Sequence, residues 1–94
     1  MIKKNSYKND ELQQIIEDHR NLVRKIAANY IAKFSYIITL EDLVQSGMIG
    51  LIEAVKSYDS NKGASFATYA SIRIKGSIID ELRRCDWSPR SLSQ

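Results

Sequence analysis

Phe66, Tyr69, Arg73, Gly76, Asp80 and Arg83 recur three and four residues apart within SFATYASIRIKGSIIDELRRCDW, residues 65–87. On a helix turning about 100° per residue they share one face. That face opens on two rings and continues into charge, with Lys62, Lys75 and Arg84 nearby in the chain. A helix that only had to fold would not usually turn Phe and Tyr outward. Flat rings stack on unpaired bases while cations follow a phosphate backbone, so these residue types fit single-stranded nucleic acid. Each stack is worth about 1–3 kcal/mol, and drawing a base from a duplex costs a few kcal/mol. Two rings therefore offset one or two openings. The face suits capture of opened strands better than their opening.

Other chemistries are poorly represented. The sequence has no nucleophile–base pairing, no metal-ligand spacing and no glycine-rich phosphate loop. Asp80 and Glu81 are consecutive, so on a helix they diverge and form no acid–base pair. The expectation is a protein that is not an enzyme and carries no cofactor and no metal. His19 falls on an apolar stripe with no second ligand near it in sequence, and it is assigned no chemistry. Cys85 is the single cysteine, which excludes a disulfide framework and suits a reducing cytoplasm. The start, Met1-Ile2-Lys3-Lys4-Asn5, is not followed by the apolar run of a signal peptide. Nowhere do about 18 apolar residues run together. A cytoplasmic protein without a membrane partner is expected.

The elements that must hold the face follow from periodicity. A chain of 94 residues supports one domain with a modest core, since about 60–65% of its unfolded surface is buried at this size. One proline and four glycines favour helices over turn-rich sheets. The pattern predicts an all-α, compact bundle of three long helices with the start of a short fourth. Residues 1–9 are polar and without period, and read as a flexible tail, leaving 10–94 as the domain. A first helix over about 10–34 carries Leu12, Ile15, Ile16, Leu22, Val23, Ile26, Ala27, Tyr30, Ile31 and Phe34 at helical spacing. Thr39 caps a second, about 40–58, through Thr39-Leu40-Glu41-Asp42, with Ile38 and Leu43 placed as a hydrophobic staple. Its core face is Leu40, Leu43, Val44, Gly47, Leu51, Ala54, Val55 and Tyr58. Gly47 and Gly50 each cost about 1 kcal/mol against alanine inside a helix, so something must approach them closely. Off that face lies a second stripe of Gln45, Met48, Ile49, Ile52 and Lys56. It is either buried between two neighbouring helices or a docking surface for a partner's helix.

Residues 59–63, Asp-Ser-Asn-Lys-Gly, form a turn by composition. Ser65 caps the third helix, whose inner stripe is Ala67, Ala70, Ile74, Ile78, Leu82 and Cys85. Ser88-Pro89 reads as the cap and first position of a fourth helix. Charge is unevenly laid out over a net +3. The last third holds Lys62, Arg73, Lys75, Arg83, Arg84 and Arg90, while Glu41, Asp42, Glu53 and Asp59 make the centre acidic. Two different partners, or ordinary surface scatter, would give that layout.

Glu-Asp-Leu-Val-Gln-Ser-Gly-Met-Ile-Gly-Leu at 41–51, Phe-Ala-Thr-Tyr-Ala-Ser at 66–71, Arg-Ile-Lys-Gly at 73–76, Asp-Glu-Leu-Arg-Arg at 80–84 and Asp-Trp-Ser-Pro-Arg-Ser at 86–91 stand in one order and spacing. Together they make Leu22 to Arg90 resemble region 2 of a bacterial sigma factor of the sigma-70 class, most similar to the flagellar and motility type. The resemblance implies that the second helix docks on a coiled coil of the core RNA polymerase clamp through Asp42, Gln45, Ser46, Met48 and Ile52, which favours the docking reading of the second stripe. It implies that Tyr58, Lys62, Phe66 and Tyr69 bind the promoter −10 element and hold flipped bases of the non-template strand. In the flagellar type it adds Arg73, Asp80 and Arg90 to that readout. Lys75, Arg83 and Arg84 join them as cations for the backbone. An anti-sigma factor is a further candidate partner.

Departures from the pattern carry expectations of their own. Housekeeping sigma factors have tandem tryptophans where this chain has Ile72-Arg73, so a wedge at the upstream edge of the bubble is missing and melting should be weaker. An aromatic of the housekeeping pocket is replaced by Ala64. Regions 3 and 4 have no counterpart in these residues, so an isolated domain or a fragment of a longer chain is expected. Two other readings compete. One is a helix-turn-helix domain placing 66–84 in a duplex major groove. The other is a protein-interaction module that holds a polymerase or anti-sigma helix.

Overall fold

Three α-helices and one short 3-10 turn make up the residues that the computed structural model describes, 9–34 and 38–86. They are α1 (Asn9–Phe34), α2 (Leu40–Ser57) and α3 (Phe66–Asp86), with the 3-10 turn Ser60–Lys62 between α2 and α3. The all-α expectation holds, and each helix falls within a residue or two of where periodicity put it. The fourth helix expected after Ser88, like Arg90, lies outside the described residues. No helix among the described residues is long and apolar enough to cross a membrane.

Caps fix the helix starts. Thr39 stands in extended conformation (φ −91°, ψ 160°) and its hydroxyl accepts from the Asp42 amide at 3.2 Å, satisfying one orphan donor of α2. Ile38 and Leu43, the expected staple, are both buried in one apolar cluster. Ser65 does the same for α3: its Oγ accepts from the Thr68 amide at 3.2 Å.

The core draws Val23, Ile26 and Ala27 from α1, Leu43, Val44, Leu51 and Ala54 from α2, and Ala70, Ile74, Ile78 and Leu82 from α3. Leu43, Leu51, Ile74 and Ile78 are wholly buried, and each side chain of this size stabilises by about 1.5–3 kcal/mol. The packing of α2 against α3 dominates, with α1 closing over both. The two costly glycines of α2 sit at that contact. A Cβ on Gly47 would come within 2.7 Å of Val23 Cγ1 and 3.3 Å of Ile74 Cγ2. A Cβ on Gly50 would meet α3's backbone itself, 2.6 Å from the Arg73 carbonyl oxygen and 3.0 Å from Ile74 Cα. What approaches these glycines is a neighbouring helix.

One expected core position is corrected. Ala67 is exposed, so the inner stripe of α3 begins a turn later, at Ala70. In that first turn the inward space belongs to the larger Phe66, which packs on the core.

Candidate nucleic-acid interface

The site lies where α2 ends and α3 begins, and the connection between them shapes it. Tyr58 ends α2: its amide returns to the Ala54 carbonyl at 2.9 Å while its own backbone is extended. The Tyr58 hydroxyl donates to the Ala64 carbonyl oxygen at 2.7 Å, tying the far end of the connection back to α2. Inside it, Asp59 Oδ1 accepts from the Asn61 amide at 3.0 Å, an Asx turn. Gly63 then reverses the chain at φ +91°, a left-handed conformation that glycine enters without a Cβ clash.

Rings fill the corner so formed. Phe66 stands edge-on to Tyr58, centroids 5.3 Å apart, and edge-on to His19 of α1 at 4.9 Å. Tyr58 and Tyr69 are tilted at 44° with centroids 5.7 Å apart. Phe66 and Tyr69 are both half-buried, which corrects the outward placement of the two rings. Phe66 is held from both sides and buttresses Tyr58. Tyr69 opens on a cavity of about 170 Å³ lined by Ser57, Tyr58, Asp59, Lys62, Ala64 and Tyr69 itself. His19 is a boundary residue as expected; its Nδ1 donates to the Ile15 carbonyl oxygen at 2.8 Å, since a carbonyl can only accept.

Proton bookkeeping sets the cavity's polarity. The Ser57 hydroxyl has one proton, which goes to the Glu53 carbonyl oxygen at 2.8 Å. Tyr69 Oη, 2.7 Å from Ser57 Oγ, is therefore the donor in that pair. Both phenols thus spend their protons on the protein and keep oxygen lone pairs for a guest. With the Asp59 carboxylate they offer acceptors, and Lys62 brings a cation. An amino-bearing base fits such a lining.

Beyond Tyr69 the expected face of α3 divides. Phe66, Tyr69 and Arg73 touch Tyr58, Ser57 and Glu53 of the α2 side, and Asp80 and Arg84 line a groove with α2, whereas nothing lies within 4 Å of a Cβ at Gly76 and Arg83 is exposed. Lys75 lies on the opposite flank, about 200° around from Arg73. Arg73 donates to Glu53 of α2 at 3.0 Å, both side chains about half exposed. Arg84 pairs with Glu81 one turn earlier on its own helix, which stabilises its charged form. Asp80 and Arg84 line a groove of about 260 Å³ with Ser46, Ile49, Glu53, Ser77 and Glu81. Among the described residues no ion pair involves Lys62, Lys75 or Arg83. The cations beside the rings are thus partly engaged already. Burial, and then the neighbouring Glu81 charge, raise the Cys85 thiol above its ordinary value.

The second stripe of α2 is a surface. Gln45, Ile49, Ile52 and Lys56 are exposed, with Ile49 57% and Ile52 38% accessible; burial between two helices is therefore excluded for them. Met48 alone of the stripe packs on the core. Asp42 is exposed and Ser46 half-buried; at about 100° per residue they lie beyond Ile49 toward the groove that Ser46 and Ile49 both line, so Asp42, Gln45, Ser46, Met48 and Ile52 span one broad arc of α2 with Ile49 and Lys56 inside it. Glu53, Ser57 and Asp59 escaped the sequence reasoning. Helical spacing places 53 and 57 on one line, yet nothing in the sequence says that α3 stands opposite.

The Sigma-70 region 2 family matches residues 15–88. RNA polymerase sigma factor FliA of Pseudomonas aeruginosa is 50% identical over 80 residues, covering 85% of this chain and 32% of that protein. The protein of the same name in Escherichia coli K12 is 46% identical over 71 residues, 76% of this chain and 30% of its own length. RNA polymerase sigma-D factor of Bacillus subtilis is 49% identical over 51 residues, 54% of this chain and 20% of that protein. The chain thus spans less than a third of these relatives.

Proposed function

The chain belongs to the Sigma-70 region 2 family, and from that premise we propose that it is the promoter-recognition domain of a flagellar-type alternative sigma factor. It acts without catalysis, in the cytoplasm, with core RNA polymerase and promoter DNA as partners and an anti-sigma factor as a further candidate partner. The observation that carries this reading is the cavity between α2 and α3, where Tyr58 and Tyr69 stand beside Lys62. A flipped base of the non-template −10 strand stacks on Tyr69 and presents its amino group to the phenol oxygens and Asp59. Phe66 supports that pocket from behind. Arg73 and Asp80 read further along the seam, joined by Arg90, while Lys75, Arg83 and Arg84 meet phosphates and make binding fall with salt. Tyr69→Ala costs about 1–3 kcal/mol of single-strand binding, measured by fluorescence anisotropy with the chain assembled on core polymerase. Equal affinity of variant and parent removes the pocket.

The clamp of core polymerase takes the open flank of α2. Exposed isoleucines at 49 and 52 beside Gln45 and Lys56 support that reading, with Met48 at its inner edge and Asp42 and Ser46 at its far side. Gln45→Lys is expected to reduce capture of core polymerase in a co-purification assay while binding of the chain to a −10 single strand persists. Undiminished capture takes Gln45 off the docking surface.

A further inference from the structure

The helices α2 and α3 are joined by two rungs of the same kind. Glu53 accepts from Arg73 at 3.0 Å, and Ser57, four residues on, accepts from Tyr69, four residues back, at 2.7 Å. The spacings match because the helices run antiparallel. Glu53 also anchors the second rung, since its carbonyl oxygen takes the Ser57 proton at 2.8 Å and so turns the serine into an acceptor. Both rungs end on α3 side chains assigned above to DNA, and both begin on α2 residues with no such assignment.

We infer that Glu53 and Ser57 are positioning residues that fix Arg73 and Tyr69 in their binding orientations before a strand arrives. This rests on the reading that Tyr69 and Arg73 contact the promoter strand. A phenol on one rotatable arm and a guanidinium on a longer one otherwise lose rotamer freedom on binding, and a ligand-free tether removes that cost in advance. Ser57 restrains Tyr69 from a position that is itself exposed, so its substitution leaves the core intact.

The test measures affinity for a fluorescent single-stranded oligonucleotide carrying a flagellar-type −10 element, with the chain assembled on core polymerase. Ser57→Ala weakens binding by about two- to tenfold; Tyr69→Phe weakens it more, since it also removes an oxygen that faces the base, and the double variant is no weaker than Tyr69→Phe alone, because both remove the same hydrogen bond. Ser57→Thr, which keeps the hydroxyl, restores binding. Thermal melts of every variant confirm a folded chain. Glu53→Ala and Arg73→Ala form the equivalent cycle for the other rung. If Ser57→Ala binds like the parent, or its loss persists undiminished beside Tyr69→Phe, the positioning role is overturned while the pocket stands. If Tyr69→Ala itself binds like the parent, the pocket falls and the positioning role with it.

Discussion

The seam between α2 and α3 is packed tight at Gly47 and Gly50 and holds a cavity where α2 ends and α3 begins. At Gly50 a helix surface without a side chain lies against the α3 backbone, and Gly47 receives Val23, Ile74 and Ile78. At Tyr58 and Tyr69, two turns away, the two helices and their connection line a cavity of about 170 Å³, and hydroxyls link its walls. The middle is held by shape and the end by hydrogen bonds. Shape contacts fail when anything is added; hydrogen bonds fail when a partner is removed. The difference teaches where the molecule tolerates change. The cavity end has room for a guest because the tight middle fixes the helices without it.

The sharpest break is Gly50→Ala. The added methyl meets a carbonyl oxygen and a Cα that cannot rotate aside, and overpacking of this kind costs about 1–3 kcal/mol. Urea unfolding should show a lowered midpoint; an unchanged one would mean that the backbones separate easily. At the cavity end, Tyr58→Phe removes the hydrogen bond to Ala64 and is expected to cost about 0.5–1.5 kcal/mol in the same measurement, with the greater change in proteolysis of the 59–65 connection. Smallest is Gly76→Ala. Nothing lies within 4 Å of a Cβ there, so the better helix former should stabilise the chain by about 0.5–1 kcal/mol. Opposite signs for alanine at 50 and at 76, on two faces of one bundle, would confirm that contact and not propensity decides the first.

Much of this frame was legible in advance. Period and capping located α1, α2 and α3, and the glycines of α2 announced a close neighbour because nothing else justifies their cost inside a helix. The neighbour's identity was not legible: Gly50 reports that something touches it, never what. Phe66 shows the same limit more sharply. A helical projection gives the direction of its ring but not the element opposite, and here α1 supplies His19 and α2 supplies Tyr58. Tyr58 was expected on the core face of α2 and is instead its terminus, half-buried. The rungs from Glu53 and Ser57 escaped for the reason that makes them useful. They depend on the register of two helices, which the core sets from residues elsewhere. The stripe of α2 shows the converse, since its isoleucines could have been interior by pattern and were left uncovered by the placement of α1.

The meeting of Gly50 with the Arg73 carbonyl oxygen has a mechanical consequence. Interlocked side chains can slide by swapping rotamers, but a main-chain atom seated against another helix has no alternative position to adopt. The second and third helices therefore behave as a single stiff wedge. Whatever grips the isoleucine edge of that wedge also steers the tyrosine at its other side.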